Sequence, residues 1–87
     1  MNTKHFEIYV VESLFQPEEN APGQVLFCCD SWELVVERLA RLAAQMSVKS
    51  GNWDIYRNNG SFFAQMELPY GGLEMFRITQ TRLYANV

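Results

Sequence analysis

A single amphipathic helix, predicted over residues 31–48, constrains the fold of this chain more than any other feature. Asp30 is the predicted N-cap, Glu33 completes a capping-box pattern, and Gly51 is the predicted C-terminal cap. At helical spacing, the apolar side chains of this segment share one broad face. That face consists of Trp32, Val35, Val36, Leu39, Ala40, Leu42, Ala43 and Met46. An isolated helix cannot bury such a face, so a second layer of structure must cover it.

Strand patterns on both sides of the helix supply that layer. Before the helix, period-two alternation predicts a half-buried strand at 5–15, and the apolar run 24–29 predicts a nearly fully buried one. After it, three strands are predicted at 53–57, 61–68 and 73–84. Short turns separate these last strands, which favours antiparallel pairing. The chain is therefore predicted to form a single α+β domain of order β-β-α-β-β-β, with one amphipathic helix packed on an antiparallel sheet of four to five strands.

Length and composition predict a small soluble domain. The chain has 87 residues, 48% of them hydrophobic, and no apolar run approaches the ~20 residues that a membrane span requires. The first five residues include one lysine and no apolar core, so they do not resemble a secretory signal. Cys28 and Cys29 are adjacent, and neighbouring residues of a strand do not readily form a disulfide. These features predict a cytoplasmic protein with reduced thiols and no membrane contact.

The sequence contains no arrangement of side chains typical of catalysis. His5 is the only histidine, and we interpret it as a solvated residue at the start of a strand rather than a general base. One histidine and two cysteines are too few for a tetrahedral zinc site. The carboxylate neighbours, Glu18 with Glu19 and Glu33 with Glu37, are interpreted as solvated acidic surface. We therefore expect no enzyme activity, no cofactor and no metal.

Leu34 is the apolar residue that the helix pattern does not explain. It falls near the middle of the polar face, between Arg38 and Arg41 in projection. One interpretation is an isolated surface leucine, which is ordinary in folded proteins. The alternative is an anchor for a protein partner, surrounded by Glu37, Gln45 and the two arginines.

The face of the sheet turned away from the helix is a second candidate surface. The residues predicted to face the helix are Phe6, Ile8, Val10, Phe62, Ala64, Met66 and Leu68. The residues between them then face away, because side chains alternate along a strand. This outer set includes Tyr9, Val11, Tyr56 and Phe63. Such a surface would bind a protein partner, form a homodimer, or lie beneath the loop 16–23, and the sequence leaves all three open.

Charge is distributed unevenly along the chain. Residues 1–37 contain seven acidic residues and one lysine, whereas residues 38–87 contain six basic and three acidic residues. The net charge of −3 argues against direct nucleic-acid binding. An acidic end of the molecule would attract basic protein surfaces instead.

In its size, its acidity and its lack of catalytic motifs, the chain resembles the phage- or plasmid-encoded inhibitors that block host defence complexes, anti-CRISPR proteins among them. This resemblance implies a protein partner, and in particular a complex that handles nucleic acid. Under this hypothesis the acidic residues steer the encounter and the exposed apolar residues anchor it. The predicted partner-binding residues are Glu18, Glu19, Glu33, Glu37, Leu34, Tyr9, Tyr56 and Phe63.

Two other functions fit the same sequence. A small oligomeric subunit would assemble through the sheet face or an exposed edge, for which the long polar strand at 73–84 is the predicted candidate. A weak single-stranded nucleic-acid binder would use Arg57, Arg77 and Arg82.

Overall fold

The computed structural model describes the backbone of residues 3–86 and the side chains of residues 6–82. Five strands and one helix follow the predicted order, which confirms the α+β class. The elements are β1 (Thr3–Leu14), β2 (Gly23–Cys29), α1 (Trp32–Gln45), β3 (Trp53–Asn58), β4 (Ser61–Glu67) and β5 (Leu73–Asn86), with one 3-10 turn at Ser50–Asn52. Within the described backbone, no helix is long and apolar enough to cross a membrane.

The five strands form one open antiparallel sheet of order β2-β1-β5-β4-β3. Its centre is built from the two ends of the described chain. There β1 pairs with β5 from Thr3 opposite Asn86 to Ser13 opposite Phe76. The edge strands are β2 and β3.

The positions of β2 and β5 in the sheet differ from the prediction. An apolar run at 24–29 fits a nearly fully buried strand, but β2 is an edge strand in which Val25 is 56% and Leu26 is 47% exposed. Local hydrophobicity does not reveal which strands lie at the edges of a sheet. The predicted edge strand, β5, instead lies inside the sheet: it pairs with β4 along residues 73–78 and with β1 from residue 76 onward. Its polar residues follow at the point where pairing with β4 has ended.

The helix α1 covers one face of the sheet, which we call the helix face. Val35, Leu39 and Ala43 are its buried side chains, and their spacing places them on one stripe. They pack against the buried residues Val11, Cys29, Val48, Ala64, Met66, Phe76 and Ile78. Ala40 is exposed, so the buried stripe is narrower than the predicted apolar face.

The alternation of side chains in β1 is opposite to the predicted one. Val11 is fully buried beneath α1, and Tyr9 packs against Trp32 with the ring centroids 5.6 Å apart. Alternation then directs the neighbouring row away from the helix. That row contains Phe6, Ile8 and Val10. Both rows of this strand are apolar, so the pattern alone does not decide which of them faces the core.

The alternation of β3 and β4 follows the prediction. Ala64 and Met66 are buried under α1, and Trp53 packs against the same cluster. The predicted hairpin joins the two strands. Its turn residues Asn59 and Gly60 have φ angles of 52° and 81°, values that these two residue types adopt most readily.

The helix α1 begins one residue after and ends three residues before its predicted bounds. The N-cap is Ser31, whose Oγ accepts a hydrogen bond from the backbone N–H three residues later at 3.2 Å. Asp30 precedes it, and since both residue types are favourable N-caps, residue type alone does not choose between them. At the other end, α1 stops at Gln45, and Ser47 adopts a left-handed φ of 60° instead of the predicted Gly51 cap.

One end of the β1–β5 ribbon extends beyond the rest of the sheet. β2 pairs with β1 only from Tyr9 onward, and β4 pairs with β5 only as far as Ile78. Within the described backbone, residues 3–8 and 81–86 therefore pair only with each other. We call this two-stranded segment the arm. It contributes to an elongated molecule with principal extents of 55 × 24 × 19 Å.

Ser31→Ala removes the side-chain acceptor at the N-cap, so we expect it to lower the free energy of unfolding by about 1 kcal/mol. Asp30→Ala is the matched control. It removes only a carboxylate near the helix N-terminus, and we expect at most about half of that effect. Urea denaturation followed by circular dichroism measures both variants. An equal or larger loss in the Asp30 variant would contradict the assignment of Ser31 as the cap.

Candidate functional site

The face of the sheet opposite α1, which we call the loop face, is covered by residues 15–22. Two prolines in this segment disfavour regular structure. Ala21 is buried here and packs with Leu14, Phe63 and Met75. Of the three interpretations of this face that the sequence leaves open, coverage by the loop is the one that the structure shows.

Arg77 of β5 holds the loop against the sheet. Its guanidinium donates two hydrogen bonds to the carboxylate of Glu12, its cross-strand neighbour on β1, both at 3.1 Å. It also donates to the backbone carbonyls of Glu19 at 3.3 Å and Ala21 at 3.1 Å. The Arg77 and Glu12 side chains are only 23% and 20% exposed, so water screens this pair less than an ordinary surface pair. One side chain therefore connects both central strands with the loop.

Glu19 attaches the far part of the loop to β3. Its carboxylate accepts hydrogen bonds from the Tyr56 hydroxyl at 2.9 Å and from Nδ2 of Asn58 at 2.7 Å. Partial burial is the main cause that raises the pKa of Tyr56. The hydrogen bond to Glu19 and the negative charges of Glu19 and Asp54 raise this pKa further. Glu19 thus has a structural role within the fold.

The three predicted aromatic anchors make contacts inside the fold. Tyr9 lies on the helix face against Trp32, so its predicted placement on the outer face is wrong. Phe63 lies on the predicted face but is only 4% exposed beneath the loop. Tyr56 stacks on Phe63, with the ring centroids 5.6 Å apart, and donates its hydroxyl to Glu19. Little of the Phe63 ring is accessible to a partner, and the accessible part lines a cavity of about 490 Å³ beside the loop.

The four predicted steering carboxylates lie on two sides of the molecule. Glu18 and Glu19 belong to the loop, whereas Glu33 and Glu37 project from α1. Glu18, Glu33 and Glu37 are exposed, and Glu37 forms an ion pair with Arg41 at 2.8 Å. These acids do not form one continuous patch.

The three arginines predicted for nucleic-acid binding are also separated. Arg77 is occupied on the loop face. Arg57 lies over the ring of Phe62 at 5.5 Å, and Arg82 is 3.9 Å from a carboxylate oxygen of Glu7. Binding to a phosphate backbone needs several unpaired cations on one surface, and these three do not supply it.

A groove between α1 and β2 is the second part of the candidate site. The side chains of its helix wall recur every three or four residues, which places them along one side of α1. This wall contains Leu34, Arg38, Arg41, Leu42 and Gln45. The strand wall contains Leu26, Phe27, Cys28 and Cys29, and Ile8 of β1 lines the smaller cavity just beyond the end of β2. Two adjoining cavities of about 390 and 270 Å³ make up this α1–β2 groove, and Arg38 lines both of them.

A β-bulge shapes the strand wall of the groove. In the β1–β2 register, Val11 pairs with Phe27 and Glu12 pairs with Val25, so Leu26 is left without a partner residue. An extra residue of this kind re-aims the neighbouring side chains. As a result, the consecutive residues Leu26 and Phe27 both line the groove instead of alternating across the sheet.

Two arginines of α1 make the groove cationic. The guanidinium of Arg38 lies 5.4 Å from the centre of the Phe27 ring. No carboxylate among the described side chains forms an ion pair with Arg38, whereas Arg41 is paired with Glu37. Asp30 lines the end of the groove nearest the helix N-terminus. Arg38 is therefore positioned by an aromatic ring and retains its hydrogen-bond donors for an anion.

Sequence reasoning identified one wall of this groove and missed the other. Leu34, a predicted anchor, lines the groove and is 39% exposed. Val25 and Leu26 were not predicted as surface residues, because the apolar run that contains them is typical of a buried strand. No local signal in this segment marks it as an edge.

Comparison with known proteins assigns no family to the chain. No family model, no curated protein and no solved structure matches it. In the part of the chain that the structure describes, no group of three or more His, Cys, Asp or Glu side chains is placed to hold a metal ion. The function must therefore be argued from the surface of the molecule.

Glu19→Gln keeps an acceptor oxygen for the Tyr56 hydroxyl but removes the negative charge, so we expect it to lower the pKa of Tyr56 toward its ordinary value. A carbon-13 NMR titration of the tyrosine Cζ atoms measures this change. Glu18→Gln is the control, since it removes a neighbouring exposed carboxylate. Equal shifts in both variants would contradict a specific effect of Glu19.

The same shift sets the sign of the pH dependence of stability. Because its pKa is raised in the folded state, Tyr56 holds its proton more tightly there than in the unfolded chain. Its contribution to stability is complete below the ordinary tyrosine pKa of about 10 and is lost as the pH rises through the folded-state pKa. Tyr56→Phe should accordingly lose less stability than the parent protein over this alkaline range, as measured by urea denaturation.

Arg77→Lys keeps the charge but not the planar fork that binds Glu12 and two backbone carbonyls together. We expect a loss of about 1–3 kcal/mol in the free energy of unfolding, since partly buried acceptors lose their donors. Arg57→Lys, at an exposed arginine over a ring, should change it by less than about 0.5 kcal/mol. Hydrogen exchange at the Ala21 amide, which bonds to the Glu18 carbonyl, reports loop opening. Unchanged protection of this amide in the Arg77 variant would contradict the anchoring role.

Proposed function

We propose that this chain is a non-enzymatic protein-binding module that uses the α1–β2 groove and the free edge of β2. One observation carries the proposal. The edge strand β2, Gly23–Cys29, contains no charged residue and no proline, and Val25 and Leu26 in it are about half exposed. This edge is open to pairing with another chain.

The other edge of the sheet provides a comparison within the same molecule. Edge strands usually carry charged residues, proline or bulges that discourage pairing with other chains. β3 follows this rule, since Asp54 and Arg57 interrupt its apolar residues. β2 has a bulge but neither a charge nor a proline. The difference between the two edges supports a partner on the β2 side.

The side chains beside this edge have the composition of a binding surface. Single exposed apolar residues are ordinary in soluble proteins. Here, however, the exposed Leu34 lines one end of the groove and the exposed Leu26 lines the other, beside the half-buried residues Phe27 and Leu42. Aromatic and arginine side chains often contribute most to binding energy, and Arg38 over Phe27 combines both types.

A narrower form of the proposal is an inhibitor, similar to anti-CRISPR proteins, that acts in the cytoplasm on a host complex that handles nucleic acid. It is supported by the exposed carboxylates Glu33 and Glu37 on the same helix as the groove wall. Acids at this position steer the protein toward a basic surface, of the kind that binds phosphates. Charge reversal at both acids should then weaken binding and reduce its salt dependence.

A second candidate function, assembly into homo-oligomers, is favoured by the arm. A two-stranded ribbon is at best marginally stable in water without a third strand or a covering layer. The arm has neither within the described backbone, and both of its edges are free there. Light scattering after size-exclusion chromatography separates a monomer from a homo-oligomer at the outset.

Leu34→Gln tests the protein-binding proposal with a matched control. We expect the tagged parent protein to retain a stoichiometric partner from a bacterial lysate and Leu34→Gln to lose it, since the substitution removes an apolar contact in the groove. Leu73→Gln is the control, because Leu34 and Leu73 are exposed to the same degree, 39% and 40%, but only Leu34 lines the groove.

Mass spectrometry of the retained material, with circular dichroism to confirm folding, gives the result. Equal retention by both variants would contradict binding through the groove. A partner that itself binds nucleic acid would support the narrower inhibitor proposal.

A further inference from the structure

We propose that the α1–β2 groove takes an extended peptide segment of a partner protein, which adds to β2 as a sixth strand and presents a carboxylate to Arg38. This inference rests on the proposed protein-binding function and adds the conformation and the chemistry of the ligand. It is carried by three observations: the state of the β2 edge, the dimensions of the groove and its charge.

The β2 edge favours an extended ligand over a helical one. One side of β2 pairs with β1, and the other side faces no strand in the described chain. Its outward backbone N–H and C=O groups need hydrogen-bond partners whenever a ligand excludes water from them. A helix laid in the groove has no free backbone groups to offer, whereas an added strand pairs with each of them.

The two walls of the groove have matching lengths. The seven residues of β2 span about 20 Å at the rise of a β-strand. From Leu34 to Gln45, the helix wall spans about 16 Å at the rise of an α-helix. A segment of about six residues in the extended conformation spans about 20 Å and therefore runs along β2 and past the whole helix wall.

Alternation along the ligand then separates two sets of side chains. One set points toward α1 and meets the apolar lining, with Leu34 near one end and Leu26 and Leu42 near the other. The other set points to the opposite side of the sheet. A ligand with apolar residues at every second position therefore fits the groove best.

The charge of the groove selects an acidic ligand. Although the chain has a net charge of −3, the groove wall presents Arg38 and Arg41. Arg41 is neutralised by Glu37, but Arg38 has no ion-pair partner among the described side chains. Arg38 also lines both cavities, so the carboxylate lies near the middle of the ligand. Asp30 at one end disfavours a second acid there.

A library of random peptides displayed on phage, selected on the folded protein, tests this inference. We expect enriched peptides with alternating apolar residues and a central Asp or Glu. Arg38→Gln should weaken the binding of a synthetic copy of an enriched peptide by about tenfold. This is the effect expected from the loss of a hydrogen bond between charged groups at a partly exposed site. Arg57→Gln is the matched control, since Arg57 lies over a ring at a similar distance, 5.5 Å against 5.4 Å for Arg38, but outside the groove.

Backbone methylation distinguishes strand addition from other modes of binding. In an added strand, only every second amide of the peptide faces β2. N-methylation of one alternate set should therefore abolish binding, and methylation of the other set should leave it intact. Binding of the unmethylated peptide should also slow hydrogen exchange of outward-facing amides in residues 23–29.

The outcomes separate this inference from the function on which it rests. Peptides that bind in the groove but tolerate methylation at every position would overturn strand addition, and peptides that bind Arg38→Gln as tightly as the parent protein would overturn the acidic ligand. If selection yields no groove-dependent peptide while lysate capture still depends on Leu34, the inference fails and the protein-binding function stands. If capture does not depend on Leu34 either, both fail.

Discussion

The ion pair between Glu12 and Arg77 holds the loop on one face of the sheet. It joins the two central strands across their register, and the remaining donors of Arg77 bind the carbonyls of the loop at Glu19 and Ala21. The loop consequently closes one face of the sheet, while α1 closes the other. The loop face is covered only where the loop docks, since Phe6, in the same row as Glu12, is 50% exposed and a cavity of about 490 Å³ lies beside the loop.

The same pair explains why β1 alternates in the opposite sense to the prediction. Phe6, Ile8 and Val10 form one apolar row, and Tyr9 and Val11 form another, so the hydrophobic pattern supports either orientation. Glu12 belongs to the first row, and its partner Arg77 lies 65 positions away in the sequence. Because the loop face supplies that partner, the row of Glu12 turns toward the loop and Val11 turns toward α1. An interaction between residues so distant in sequence is not visible in local periodicity.

Where the local sequence pattern is compatible with only one structure, the sequence was sufficient to predict that structure. The order of elements, the α+β class, the Asn59-Gly60 hairpin and the alternation of β4 follow from periodicity and turn chemistry, and the structure confirms them. Leu34 was located correctly because helical geometry fixes the angle of each residue around the axis. The N-cap was misplaced by one residue because Asp30 and Ser31 are both good caps. Coverage of the loop face was one of three open alternatives, since nothing local shows where a loop will dock.

The misassignment of β2 has a different cause, which bears on function. Its uncharged, apolar sequence is typical of a strand with neighbours on both sides, and the sequence therefore predicts a nearly fully buried one. In the structure it has one neighbour, and a bulge turns Leu26 and Phe27 together toward the groove. A strand with this composition at a free edge is prone to pair with other chains and to aggregate unless another chain covers it. With the strand that we propose a partner adds, β2 acquires the second neighbour that its sequence predicts. The apolar composition of β2 then agrees with its position in the sheet.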